Sequence, residues 1–187
     1  PRTGHAQGEV LAAMESLRDR DVRWRDGRVF SLVFHVDDEF KRFVHRAYGT
    51  FMAENGLNPS AFPSLRRMEN EVVSMTARLL GGGPDVVGNM TSGGTESILM
   101  AVKGAVEWGR VHRPRVKRLE MVLPRTAHPA FEKAAHYFGI TPVFVPIRAD
   151  YRVDVRKARR AIGRRTVLVV GSAPQYPQGV VDPIEEL

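Results

Sequence analysis

The chain has 187 residues, of which 43% are hydrophobic and 26% charged, a composition that suits a soluble globular protein with room for one ordinary core. It has no cysteine, which excludes disulfides and thiolate metal sites; no apolar run is long enough to span a bilayer and no secretory signal opens the chain, so the default location is cytoplasmic. The net charge of +7 is concentrated in residues 110–118 and 156–165, where no aromatics interleave and no nucleic-acid motif occurs; these stretches read as solvated helix faces, or as a field that draws in an anionic substrate, and not as a nucleic-acid surface.

Residues 5–20 read as a helix, with Val10, Leu11, Met14 and Leu17 at helical spacing. After the turn at Asp26-Gly27, residues 36–54 read as a second helix, entered through the acidic Asp37-Asp38-Glu39 and closed by Asn55-Gly56. Tyr48 shares a face of it with Val44 and Phe51, which points to core packing. Pro59 and Pro63 keep the next stretch out of helix, and Ser64 is placed to cap a third helix with the stripe Leu65, Met68, Val72, Met75 and Leu79; Gly81-Gly82-Gly83-Pro84 stops it.

From there strands and helices alternate. Strands are predicted at 86–90, 119–123, 142–147 and 166–171, and helices at 98–111, 130–138 and 153–162. Val167-Leu168-Val169-Val170 is the clearest strand, a continuous apolar run of the kind buried on both faces. The pattern predicts an α/β layer with a mostly parallel sheet and flanking helices, preceded by a helical N-terminal arm at 1–58, the main domain occupying 59–187. Pro1 at the start, and a helix-like opening at Pro183-Ile184-Glu185-Glu186-Leu187, give the expectation of a piece of a longer chain.

Thr91-Ser92-Gly93-Gly94-Thr95-Glu96-Ser97 stands between an apolar stretch and a helix. A Ser/Thr/Gly turn that opens a helix aims free N–H groups and the positive end of the helix dipole at one point, and phosphate is the default ligand there. Such turns also serve packing alone, and the segment by itself leaves both readings open. No His-x-x-x-His pair, Gly-x-Ser-x-Gly elbow or Gly-x-Gly-x-x-Gly fingerprint occurs, and the glycines at 81–83 precede a predicted strand instead of following one.

Four ordered motifs carry a family resemblance. They are Leu57-Asn58-Pro59-Ser60-Ala61-Phe62-Pro63-Ser64-Leu65-Arg66-Arg67; the turn at 91–97 continuing to Met100; Ala127-His128-Pro129-Ala130-Phe131-Glu132-Lys133; and the run from Ser172 through Pro174, Gln175, Gly179 and Asp182 to Pro183. Together they resemble the sphingosine-1-phosphate lyase family, from about residue 27 to residue 187. The resemblance implies a partial large domain of a fold-type-I pyridoxal 5'-phosphate enzyme, normally a homodimer with its sites at the subunit interface. It implies that Gly93, Gly94 and Thr95 hold the cofactor phosphate with Ser92 as an extra donor, and that His128 stacks on the pyridine ring. Ser172 then lies near the cofactor, or is a turn residue before Pro174. Asn58 borders the substrate site, or is a turn residue before Pro59. Arg66 and Arg67 read as structural partners of Glu69 or Glu71.

The family also requires an aspartate for the pyridine nitrogen and a Schiff-base lysine, and their motifs are absent; Lys103, Lys133 and Lys157 sit on helix surfaces. The implied activity is retro-aldol cleavage of a phosphorylated long-chain base to a fatty aldehyde and phosphoethanolamine. An amino-acid decarboxylase of the glutamate or aromatic type is the alternative within the same chemistry, with a phosphorylated amino alcohol or an amino acid as the respective substrate. The reading of another class is a non-catalytic subunit or half of a split enzyme, whose sheet would leave an edge for a partner. On the fragment reading the isolated chain is inactive.

Overall fold

The computed structural model describes residues 3–29, 32–58 and 60–187. The chain divides into two units, Pro1–Met68 and Glu69–Leu187. In the first, α1 (Gln7–Leu17) runs into a single 3-10 turn, and α2 (Asp38–Thr50) starts from Asp37, whose carboxylate accepts the Phe40 N–H at 2.7 Å. Arg25 bonds Asp38 at 3.2 Å, and this guanidinium holds the Asp38 carboxyl below its ordinary range. Neither helix buries a residue. The expected core role of Tyr48 is therefore not met: it is 74% exposed, because no described residue covers that face. The helix also ends at Thr50, short of Asn55-Gly56.

The third helix, α3 (Pro63–Leu79), begins on Pro63 itself. Proline suits the first helical position, where its missing N–H is no loss, so Ser64 lies inside the helix instead of capping it. The apolar stripe is present but lies open, with Val72, Met75 and Leu79 all exposed. The strand expected at 86–90 does not form. That segment runs back along α3, where Gly88 comes so close to Val73 that a Cβ would lie 3.0 Å from its methyl. An apolar run becomes a strand only when a neighbouring strand takes up its backbone groups, and none does here.

The second unit is built on three parallel strands in the order β2-β1-β3: β1 (Glu120–Pro124), β2 (Thr141–Val145) and β3 (Thr166–Val169). β1 pairs Glu120 with Thr141 through Pro124 with Val145, and its ladder with β3 shifts register between Glu120 and Met121. The central strand is β1, with Met121, Val122 and Leu123 all at most 1% exposed. The apolar run of β3 was expected to be buried on both faces; as an edge strand it keeps Val167, Leu168 and Val169 only half-buried.

Alternation along β1 sorts the helices. Met121 and Leu123 face α4 (Gly94–His112) and α5 (Ala130–Phe138) through Val102, Val106, Ala134 and Ala135. Val122 faces the other way, to Val153 and to Ala158 of α6 (Val155–Ala161), whose start is capped by Asp154. The chain thus crosses from β1 to β2 on one face and from β2 to β3 on the other. α4 approaches the sheet at Gly109, where a Cβ would lie 2.8 Å from both Leu119 and Val167. Gly109→Ala should therefore destabilise the fold by about 1–3 kcal/mol through overpacking. Gly104→Ala, on the open side of the same helix, should be neutral or stabilising by about 1 kcal/mol. Urea denaturation of the two variants checks this, and equal midpoints would remove the close approach as a constraint.

Candidate functional site

Gly109, near the end of α4, touches Leu119 and Val167 at the amino ends of β1 and β3. α4 therefore runs against the strands, and its N-terminus lies toward their carboxyl edge. Two loops leave that same edge: 125–129 after β1 and 170–183 after β3. β1 and β3 are adjacent strands; after β1 the chain leaves on the face of α5, and after β3 Leu187 packs on the opposite face with Val153 and Ala158, so the carboxyl edge between the two strands is where an α/β sheet opens a crevice. Ser92, Gly93, Gly94, Thr95, His128 and Ser172 all lie on these three segments. Asn58 belongs to the other unit, where its carboxamide oxygen accepts the Ser60 N–H at 3.0 Å in a local turn.

At the first segment the helix opens on Gly93, with φ 153° and ψ 179°, backbone space that essentially only glycine occupies. The first helical bond runs from Ser97 N–H to the Gly93 carbonyl at 3.0 Å, so the N–H groups of Gly94, Thr95 and Glu96 have no intrahelical acceptor. Residues 92–97 are exposed, and a Cβ on Gly93 or Gly94 would meet nothing within 4 Å, so the turn itself is uncovered among the described residues. The hydroxyls of Thr91 and Ser97 lie 2.7 Å apart, and Thr91 also donates to the Gly93 carbonyl, which ties the turn from below. Glu96 accepts the Ser92 N–H at 2.6 Å. Hydrogen bonds from Ser92, its hydroxyl first and then its N–H, hold the Glu96 carboxyl below its ordinary range.

His128 is exposed, and its Nδ1 accepts the Ala130 N–H at 3.1 Å. This bond leaves the proton on Nε2 and fixes the ring at the entry to α5. Among the described residues no aromatic ring covers it. Thr126, two residues earlier, has a hydroxyl oxygen shut off from solvent with no hydrogen-bond partner. Sequence reasoning missed Thr126; its place in the loop before Ala127-His128 was the only available signal. After β3, Ser172 is half-buried and its N–H donates to Asp182 at 2.9 Å, while its hydroxyl makes no hydrogen bond among the described residues. The Ala173–Pro174 peptide that follows is cis. Asp182 is 2% exposed, and its role was likewise missed, because its partners are distant in sequence.

None of these three segments contains a lysine. Lys103 pairs with Glu107 along α4, Lys133 and Lys157 are exposed on α5 and α6, Lys41 is on α2, and Lys117 precedes β1. A hollow of about 610 Å³ lined by Arg113, Arg115, Ile162 and Arg164 opens at the amino ends of the strands, opposite the candidate site. Arg113 is committed there, donating to the carbonyls of Arg164 at 3.0 Å and Thr166 at 2.6 Å.

No family model matches the chain. Individual proteins do. Sphingosine-1-phosphate lyase 1 of Rattus norvegicus is 44% identical over 191 residues, covering 100% of this chain and 33% of that protein. The structure of the Burkholderia pseudomallei sphingosine-1-phosphate lyase superposes with a TM-score of 0.89 at 38% identity, again over 100% of this chain and 44% of that one. The chain is a homologue of the sphingosine-1-phosphate lyases. It spans about a third of the length of the rat lyase. Glutamate decarboxylase of Lactobacillus brevis shares the fold at a TM-score of 0.77 and 18% identity. The architecture is that of part of the large domain of the fold-type-I pyridoxal-phosphate enzymes, and the lyase-like stretch includes all three segments at the carboxyl edge. Among the described residues no helix is long and apolar enough to cross a membrane.

The Glu96 bond gives a pH signature. A carboxyl whose folded pKa is depressed stabilises the fold above its unfolded pKa, and that contribution is lost as pH falls through the folded value. Glu96→Gln should be less stable than the unsubstituted chain near neutrality, with the gap closing as pH is lowered from about 7 to about 3. Urea denaturation across that range measures the gap; one that stays constant would show that the Glu96 charge is not what holds the turn.

Proposed function

We propose that this chain supplies the phosphate- and ring-holding part of a pyridoxal 5'-phosphate-dependent carbon–carbon lyase. The observation that carries the reading is the meeting, at one sheet edge, of an open glycine-lined helix N-terminus with two loops bearing an exposed imidazole and unpartnered hydroxyls. These residues fit the cofactor. The N–H groups of Gly94, Thr95 and Glu96 would bind the phosphate, with the Thr95 hydroxyl adding a donor; the Ser92 hydroxyl, which is bonded to Glu96, would add another only by leaving that carboxylate. The Glu96 carboxylate does not oppose this, because its hydrogen bond to Ser92 turns it to the start of the loop. His128 would lie against the ring, exclude water from one face and fix its tilt, its orientation already set by the Ala130 N–H. Ser172 would hold the ring edge through its free hydroxyl. Bound there, the cofactor supplies an electron sink.

Homology to the lyases supports a phosphorylated long-chain amino alcohol as substrate, cleaved between C2 and C3 to a fatty aldehyde and phosphoethanolamine. We read the whole enzyme as a homodimer, residues 1–58 as its helical arm, 59–187 as the incomplete cofactor-binding domain, and Asn58 as a residue bordering the substrate. The three segments contain no lysine, so the 187-residue chain alone should release no aldehyde.

Two measurements test this. Pyridoxal phosphate followed by borohydride and peptide mapping should leave no adduct confined to one lysine; a single stoichiometric adduct would mean that the chain carries its own amine for the chemistry. Pyridoxamine phosphate, which forms no imine with surface lysines, gives the binding readout. His128→Ala should weaken it about 3- to 10-fold, the scale of one aromatic stacking contact, and His128→Phe should restore most of the affinity. Equal affinities in all three proteins would remove His128 from the site.

A further inference from the structure

Ser172 is held twice by one distant residue. Its N–H donates to Asp182 Oδ2 at 2.9 Å, and its carbonyl accepts the Asp182 N–H at 2.9 Å. The second carboxylate oxygen, Oδ1, accepts the Val153 N–H at 2.9 Å, from the connection between β2 and α6. Asp182 is 2% exposed, and among the described residues no cation pairs with it. Burying a carboxylate is costly, and here backbone N–H donors offset the cost. Two more bonds run alongside: Gln175 Nε2 to the Tyr151 carbonyl at 3.0 Å, and Arg152 Nε to the Val181 carbonyl at 3.1 Å. The loop after β3 is thereby strapped to the turn before α6, itself closed by the Ile147–Val153 bridge. All these bonds engage backbone or strap side chains, and the Ser172 hydroxyl is left over.

We propose that Asp182 is a positioning residue for the cofactor site: by fixing the Ser172 backbone on both sides of its Cα, it presents the free Ser172 hydroxyl at the carboxyl edge of the sheet. The inference rests on the cofactor reading above and adds a residue that touches neither cofactor nor substrate. Its action passes through Ser172, so the two must be coupled energetically. Residues in one hydrogen-bond network show non-additive effects, whereas independent sites add.

The test is a double-mutant cycle on the 187-residue chain with pyridoxamine phosphate as the probe, read by the absorbance shift on binding, together with amide hydrogen exchange. Ser172→Ala and Asp182→Asn should each weaken the probe by about fivefold, the scale of one lost hydrogen bond, and the double variant should bind no more weakly than Asp182→Asn alone. Exchange at the Ser172 and Val153 amides should accelerate about tenfold or more in Asp182→Asn, with the β1 amides unchanged. If Asp182→Asn does not fold, Asp182→Glu, which keeps the charge and displaces the oxygens by one methylene, takes its place. Effects that simply add, or an Asp182 variant with unchanged affinity, would overturn the role of Asp182 while leaving that of Ser172 intact. An unchanged Ser172→Ala would remove Ser172 and the proposal together. No binding by the unsubstituted chain would remove the cofactor reading on which both stand.

Discussion

The close packing of α4 on the sheet at Gly109 is the constraint on which the rest depends. Only a residue without a side chain lets the helix axis come that near to Leu119 and Val167. Once it does, Val102 and Val106 meet Met121 and Leu123, and the direction of the helix is settled against the strands. The open N–H groups at the far end of the same helix inherit their position from this contact. The helix serves as core and as ligand cradle at once, and a glycine about four turns from the cradle determines where the cradle sits.

Carboxylates shape this edge from behind. Glu96 takes up the Ser92 N–H and Asp182 the Ser172 N–H. In each case an acidic side chain accepts a main-chain bond that neither helix nor strand would satisfy, so the loop keeps one conformation before anything binds. The groups left unengaged are the ones a ligand could use: the N–H groups of Gly94, Thr95 and Glu96, the Ser172 hydroxyl, and the exposed His128 ring, whose bond to Ala130 lies in its own plane. Their freedom depends on the full commitment of their neighbours.

Much of this was legible from residue order, and the remainder has identifiable causes. α5 was found at its observed bounds because Ala130 to Phe138 has a 3.6-residue apolar face and Gly139 after it in a left-handed conformation, a local signal at both ends. The Gly-Gly turn was legible as an anion-binding turn from its own residues, whereas the Ala-His pair and Ser172 were singled out only by the family resemblance. Apolar content failed wherever the answer lay in a neighbour. Residues 86–90 look like a strand and have no strand beside them; Val167–Val169 look doubly covered and lie at an edge. Tyr48, Val72 and Met75 show helical stripes, yet a stripe does not name what covers it. Asp182 stood within a motif but its partners could not be read, since it bonds Ser172 and Val153, which local patterning does not bring to it.

The ladder itself has a kinetic meaning. Every strand pair here is parallel, and each joins residues separated by at least one complete helical crossover. No hairpin is available to seed the sheet cheaply, so chain entropy is given up before any ladder bond returns it. β1 must wait for α5 to close before it meets β2, and for α6 as well before it meets β3. The β1–β3 pairing closes the longer stretch of chain and carries the larger loop-closure cost, so a ligand held in the crevice between them would favour the more costly of the two pairings.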